Sequence, residues 1–105
     1  MNAFHYTDSD GHKAIASQAQ WSFCAVKPPG DRPTGAYFTT LRPARNLCAR
    51  LRIPKTKTEF AFSFAREDGL VPLDGGRGEY VFYSPIDYNV PDNQQLYHGP
   101  SEELP

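Results

Sequence analysis

The clearest fold signal in the chain is the stretch Glu59-Phe60-Ala61-Phe62-Ser63-Phe64-Ala65-Arg66. Phenylalanine alternates there with alanine or serine, which is the period of two expected for a β-strand that buries one face under bulky side chains. We therefore predict a strand over residues 59–66, with a β-rich core built around it.

Further β-prone runs lie on both sides of this strand. They cover residues 3–6, 21–26, 35–40, 70–73, 79–83 and 94–98. A Pro- and Gly-rich loop at 28–35 and a tight turn at 74–78 separate some of these runs, and a frayed tail is expected at the end.

Two helices are predicted between the strands. Thr7 can cap the first helix, and Asp10, three residues later, imitates a capping box. Small apolar residues then recur at helical spacing, so this helix is expected over about 8–19, with a narrow face that can pack closely on a sheet. A second, short helix is expected within 42–51.

The order of these elements indicates an α+β domain in which antiparallel sheet predominates. A chain of 105 residues is one domain by length, so residues 1–105 are taken as a single unit. The composition is 39% hydrophobic and includes seven Phe and six Tyr, which is enough for a small core.

Charge and cysteine content exclude few functions. The net charge is −1, but six of the eleven basic residues lie within residues 42–57. A solvated face is the favoured interpretation of this run, and a groove for phosphate groups is the alternative.

Two cysteines could form one disulfide, although a reducing compartment is favoured. No stretch is apolar enough to span a bilayer, and no secretory signal is evident, so we expect a cytoplasmic protein, or an effector exported by a route that the chain does not encode.

One carboxylate leads an otherwise apolar strand. In Glu79-Tyr80-Val81-Phe82-Tyr83 the alternation places Glu79, Val81 and Tyr83 on one face. Such a carboxylate must lie at a mouth or be buried with a partner. Position alone favours an ordinary glutamate in solvent. Taken singly, His5, Tyr37 and Phe38 are equally ordinary core residues.

Three separated segments, in order, resemble the active-site segments of ADP-ribosyltransferases of the diphtheria-toxin and poly(ADP-ribose) polymerase type. They are His5-Tyr6-Thr7, Gly35-Ala36-Tyr37-Phe38-Thr39 and Gly78-Glu79-Tyr80-Val81-Phe82-Tyr83. The chain is most similar to the short toxin-type members with a His-Tyr-(Asp/Glu) signature. The resemblance implies the ADP-ribosylating fold, a mostly antiparallel split sheet with one N-terminal helix and a short second helix.

The resemblance also implies a function, which is cleavage of the nicotinamide–ribose bond of NAD by a mono-ADP-ribosyltransferase. The transition state of that cleavage is oxocarbenium-like. Glu79 would hold a ribose hydroxyl and stabilise the developing cation, Tyr37 would stack on the nicotinamide, and His5 would hydrogen-bond the adenosine ribose. The backbone at Tyr6 would read the nicotinamide amide, and Thr7 completes the first segment.

Further expectations concern the rest of the site. Phe38 is expected in the NAD site, and Arg45 is expected to neutralise the pyrophosphate. Leu47 stands where polymerase-type members carry a second aromatic, so the nicotinamide stack is expected either to be one-sided or to be completed from elsewhere, by Phe38 or Trp21. No metal is expected, since the His and Cys residues lack zinc spacing.

Several hypotheses about the function of the chain stay open. The acceptor of ADP-ribose is a macromolecule, protein or nucleic acid, and the chain is expected to act as a monomer. An NAD glycohydrolase, a non-catalytic NAD- or ADP-ribose-binding module, and a β-rich interaction domain with coincidental motifs are the alternatives.

Overall fold

A computed structural model describes residues 2–28, 30, 32–65, 68–73 and 79–105. Within these residues the strands are β1 Ala3–Thr7, β2 Trp21–Phe23, β3 Ala36–Thr39, β4 Phe60–Phe64, β5 Val71–Pro72, β6 Val81–Ser84, β7 Tyr88–Val90 and β8 Gln95–Pro100. The α-helices are α1 Ser9–Ala16 and α2 Leu47–Leu51, and short 3-10 turns cover Lys55–Thr58, Asp92–Gln94 and Ser101–Glu103.

Antiparallel sheet predominates, as the sequence predicts. Six strands form one sheet in the order β5-β6-β3-β1-β4-β8, and β2 pairs with β7 in a second sheet. Each of the pairings between these strands is antiparallel. The α+β class with two helices is therefore confirmed, although β7 was not predicted.

The large sheet opens between two of its central strands. β1 pairs with β4 along its whole length, from Ala3 opposite Phe64 to Thr7 opposite Phe60. β1 and β3, by contrast, share a single pair, Phe4 opposite Thr39. Beyond that pair the two strands are no longer joined by a ladder, which leaves an opening in the middle of the sheet.

Apolar side chains pack on both faces of the large sheet. The first core lies between it and the β2–β7 sheet and consists of Ala3, Trp21, Phe23, Ala36, Phe38, Phe62, Phe64, Tyr88 and Val90. The second core, on the opposite face, consists of Phe4, Tyr6, Leu47 and Ala61. The expectation that β4 buries one face is therefore wrong, because α2 and its neighbouring leucines cover the side that carries Ala61. Full burial of each large side chain contributes about 1.5–3 kcal/mol.

Helix α1 begins and ends at different residues from those predicted. Asp8, rather than Thr7, is the N-cap, and its carboxylate accepts the backbone N–H of Gly11 at 2.9 Å. The helix ends at Ala16 rather than near 19, because the Ser17 hydroxyl donates to the carbonyl of Ala14 and the chain tightens into a final turn. A Cβ at Gly11 would lie 2.0 Å from the Thr7 hydroxyl oxygen, so glycine permits the close approach of α1 to β1.

The strand after the third sequence motif begins later than predicted. β6 starts at Val81, while Glu79 and Tyr80 form a turn. The carbonyl of Tyr80 accepts both the Thr39 hydroxyl and the Thr40 N–H, which fixes this turn against the end of β3. The turn predicted at 74–78 lies outside the described residues.

Other boundaries also differ from the predictions. The second helix covers only Leu47–Leu51 of the expected range 42–51. β2 ends at Phe23 rather than at residue 26. The chain is not frayed at Ser101. The Ser101 hydroxyl donates to the carbonyl of Thr58, and the Ser101 N–H donates to the carbonyl of Glu59.

Candidate functional site

The opening between β1 and β3 is flanked by a cleft on the α2 side of the sheet. Its lining includes Tyr6, Arg32, Tyr37, Thr39, Leu51 and Val81. The cavity volume of this α2-side cleft is about 120 Å³, which is below the roughly 300–1,000 Å³ of typical small-molecule clefts. Strands β1, β3 and β6 form its floor, and the end of α2 forms one wall.

A second cleft lies on the α1 side of the same opening. Its lining includes Ile15 of α1, Phe23 of β2 and Gly35, and its cavity volume is about 270 Å³. His5 and Tyr37 line both clefts. The two clefts therefore meet at the point where the β1–β3 ladder stops.

His5 bridges the opening through its imidazole ring. Its Nδ1 lies 2.9 Å from the carbonyl oxygen of Tyr37. A carbonyl can only accept, so Nδ1 carries the proton and Nε2 of the neutral ring is left as an acceptor. Burial lowers the pKa of His5, and the bond to the Tyr37 carbonyl opposes that shift. The ring is therefore neutral at pH 7, and it packs 4.7 Å from the ring of Phe23, centroid to centroid.

Tyr37 presents its ring on the face opposite to His5. Neighbouring side chains in a strand alternate, and Phe38 points into the first core together with the ring of His5. The Tyr37 ring stacks on that of Tyr83, with 5.6 Å between centroids and 24° between planes. The Arg32 guanidinium carbon lies over the same ring, 5.7 Å from its centroid, and the Tyr37 hydroxyl donates to the carbonyl of Pro33.

The rest of the first motif is held by the sheet. Tyr6 is buried, and its hydroxyl donates to the carbonyl of Leu41 at 2.7 Å. Burial raises the pKa of Tyr6, so the hydroxyl remains a donor. Thr7 is also buried, beneath Gly11.

Glu79 lies exposed in the turn that precedes β6. It is two residues from Val81, which lines the α2-side cleft, but Glu79 itself is not among the described residues that line it. The backbone of the turn is fixed to β3 through Tyr80. Glu79 thus belongs to the end of the strand beside the one that carries Tyr37.

Three of the expected binding residues lie away from this cleft or are closed off. Phe38 lines the α2-side cleft but is only 3% exposed, and Trp21, also 3% exposed, lines neither cleft. Arg45 lies in a separate open cleft with Lys55 and Glu102.

Two residues that the sequence analysis did not single out occupy the expected positions instead. Tyr83 stacks directly on Tyr37, and Arg32 reaches the cleft from the loop, with its guanidinium 3.3 Å from the carbonyl oxygen of Leu51. The alternation of β6 could have indicated Tyr83, because Val81 and Tyr83 share a face. The Pro- and Gly-rich loop around Arg32 contains no such signal.

Other kinds of site were sought in the same residues. In the described ranges, no group of three or more His, Cys, Asp and Glu side chains is arranged to hold a metal ion. Cys24 and Cys48 are both free thiols. None of the helices in the described part of the chain has the length and apolar character needed to cross a membrane.

Comparison with known proteins gave no relative: no family model, no curated protein and no solved structure matches this chain.

Proposed function

We propose that this chain is an NAD-dependent mono-ADP-ribosyltransferase with an ADP-ribosylating fold. The observation that carries the proposal is the adjacency of three motif strands around an opening in the sheet. β1 carries His5, β3 carries Tyr37, and β6 follows Glu79; these strands are neighbours in the order β6-β3-β1. Three motifs that are distant in sequence therefore converge on one pair of clefts.

Nicotinamide would bind at the Tyr37 ring in the α2-side cleft. An electron-rich aromatic face attracts the positive charge of the bound pyridinium. Arg32 now occupies that position over the ring, so it would move aside, and the pyrophosphate of the same substrate offers the anionic partner that a guanidinium prefers. In this proposal Tyr83, rather than Phe38 or Trp21, supports the stack, and Arg32 takes the part expected of Arg45. The backbone at Tyr6 would still read the nicotinamide amide.

His5 would hold the other end of the dinucleotide. Its Nε2 can accept a hydrogen bond from a hydroxyl of the adenosine ribose while Nδ1 stays bound to the Tyr37 carbonyl. Since His5 and Tyr37 line both clefts, the proposal assigns nicotinamide to the α2-side cleft and the adenosine to the α1-side cleft.

Glu79 would supply the catalytic carboxylate. Cleavage of the nicotinamide–ribose bond develops positive charge on the ribose, and a fixed carboxylate that holds a ribose hydroxyl stabilises that charge. Exposure at the end of β6 suits this role, because the acceptor must approach the same carbon from solvent.

Nicotinamide release from NAD, measured with purified protein, tests the assignment. Glu79→Gln should lower the rate at least about a hundredfold, roughly 3 kcal/mol of barrier. Glu59→Gln is the matched control, because Glu59 is also exposed and its one backbone contact to Ser101 is retained. Equal rates in the two variants would contradict the role of Glu79.

The fate of the ADP-ribose decides between transferase and glycohydrolase. With NAD labelled in the adenosine and with cell lysate added, a transferase moves the label to a macromolecule. Label found only in free ADP-ribose would identify an NAD glycohydrolase, which shares every step up to the acceptor.

A further inference from the structure

The basic run of the chain is free of acidic residues and lies beside the proposed NAD site. From Leu41 to Thr58 there are six basic residues and no Asp or Glu. The remainder of the chain holds five basic and twelve acidic residues. Basic and acidic residues are therefore strongly separated along the sequence, although the net charge is only −1. The run borders the α2-side cleft, because Leu51 and Ile53 within it line that cleft.

Some of these cations are already engaged. Lys57 lies 2.6 Å from the carboxylate of Asp8, and Arg42 lies over the Phe4 ring and donates to the carbonyl of Pro105. Within the described residues, Lys57 is the one cation of the run that has an ion-pair partner. Arg50 and Arg52 are exposed at the end of α2.

The planar guanidinium of Arg50 lies over the ring of Tyr80, next to the proposed catalytic residue. Its guanidinium carbon lies 4.7 Å from the centroid of the Tyr80 ring, the shortest of the three cation–ring contacts among the described residues. Tyr80 directly follows Glu79. The Arg50–Tyr80 pair therefore lies close to Glu79.

Arg52 follows two residues after Arg50, at the C-terminal end of α2. Its backbone is left-handed, with φ 57° and ψ 46°, and it is the one non-glycine residue with positive φ in the described part of the chain. That conformation is unfavourable for a residue with a Cβ, and glycine usually occupies it at a helix end. An arginine is nevertheless found there, next to Arg50.

We infer that the acceptor of ADP-ribose is a single-stranded nucleic acid, bound along the rim formed by Arg50, Arg52 and Tyr80. This inference rests on the proposed function. A guanidinium backed by an aromatic ring offers a planar cation on which an unpaired base stacks, while neighbouring arginines neutralise phosphates. An acidic protein segment would satisfy the charges but would make no use of the planar platform.

The transfer step balances without any further reactant. The bond between the nicotinamide nitrogen and ribose C1′ breaks, and its electron pair leaves with nicotinamide, which becomes neutral. A lone pair on an oxygen or nitrogen of the nucleic acid forms the new bond to C1′. The proton of that acceptor atom passes to Glu79 or to water.

Binding of a fluorescein-labelled single-stranded oligonucleotide, followed by anisotropy without NAD, tests the surface apart from catalysis. We expect the wild-type protein to bind, with a slope of log K against log salt of about −1.4 for two phosphate contacts. Arg50→Ala should weaken binding about tenfold, and Arg50→Lys should give a smaller loss because it keeps charge without the planar group. Lys13→Ala, which removes one exposed charge from α1, is the matched control and should bind like wild type.

Thermal unfolding of each variant shows whether it is folded, and Arg52→Ala provides a second variant on the same rim. Absence of oligonucleotide binding by the wild type, or equal binding by Arg50→Ala and Lys13→Ala, overturns the inference. If NAD is consumed in that case, the proposed function survives alone. If the oligonucleotide binds and NAD is not consumed, the proposed function fails while the surface assignment stands.

Label transfer from NAD completes the test. Labelled product in a lysate should be degraded by nuclease and resist protease, and Arg50→Ala should lower that product while Lys13→Ala leaves it at the wild-type level. Label on protein, or only in free ADP-ribose, overturns the assignment of the acceptor.

Discussion

Replacing His5 with phenylalanine should destabilise the fold by about 1–3 kcal/mol at pH 7.5. The new ring can still pack against Phe23 and Phe62, but the donor to the Tyr37 carbonyl is removed. A buried carbonyl left without its donor loses roughly that much free energy. The loss falls on the opening between β1 and β3, where His5 replaces the missing ladder bonds.

The same substitution should also change how stability depends on pH. Burial lowers the pKa of folded His5, whereas the unfolded residue titrates near its ordinary value of about 6.5. Below that pH, His5 binds a proton in the unfolded chain but not in the folded protein. The stability present above pH 6.5 is therefore lost as the pH falls. Between pH 7.5 and 5.5 the loss from His5 can reach about 1.4 kcal/mol.

Urea unfolding of wild type and His5→Phe at both pH values measures the two effects together. Burial and the neighbouring His98 also lower the pKa of His12, but both proteins keep that residue, so the difference between them isolates His5. Wild type should lose more stability on acidification than the variant. Parallel pH profiles, or equal stability at pH 7.5, would refute the assignment of the Nδ1 hydrogen bond and of the neutral ring.

Substitutions at three further positions test the local structure. Gly35→Ala should cost about 1–3 kcal/mol in urea unfolding, because the added Cβ would lie 2.7 Å from the Ser84 carbonyl oxygen; a change below 0.5 kcal/mol on that scale would contradict the close approach of β3 and β6. Tyr37→Phe should lower the free energy of unfolding by about 0.5–1.5 kcal/mol, because the hydrogen bond to the Pro33 carbonyl is lost. This variant should still bind nicotinamide in an NMR titration, whereas Tyr37→Leu should not. Arg52→Gly should raise the melting temperature, with relief of up to about 1 kcal/mol of left-handed strain, and a lowered melting temperature would show that its side chain stabilises the fold.

The strands were predictable wherever one residue type alternated with another. The Phe–Ala alternation of β4 located a strand that pairs with β1 and β8, and the aromatic run of β3 located one that pairs with β1 and β6. The second covered face of β4 was not predictable, because alanine is small enough to be found on either a covered or an open face. β7 was missed because Asn89 and the preceding Pro85 and Asp87 resemble a loop.

The sequence predicted which strands carry the candidate site, but not on which face of the sheet each side chain lies. The motifs located His5 and Tyr37 on strands that are neighbours in the sheet, yet nothing in the sequence indicates that their rings lie on opposite faces of an opening. That arrangement depends on the register of β1 with β3, which is a property of the whole sheet. Arg32 was missed for a related reason, since a loop arginine reaches the cleft only through its contact with the end of α2.

Nicotinamide released from NAD by the wild-type protein is the most direct measurement of the central claim. The proposal predicts one nicotinamide for each NAD consumed, and NAD binding by Glu79→Gln without turnover, with NMR shifts at the rings of His5 and Tyr37. Wild-type protein that neither binds NAD nor releases nicotinamide would contradict the claim.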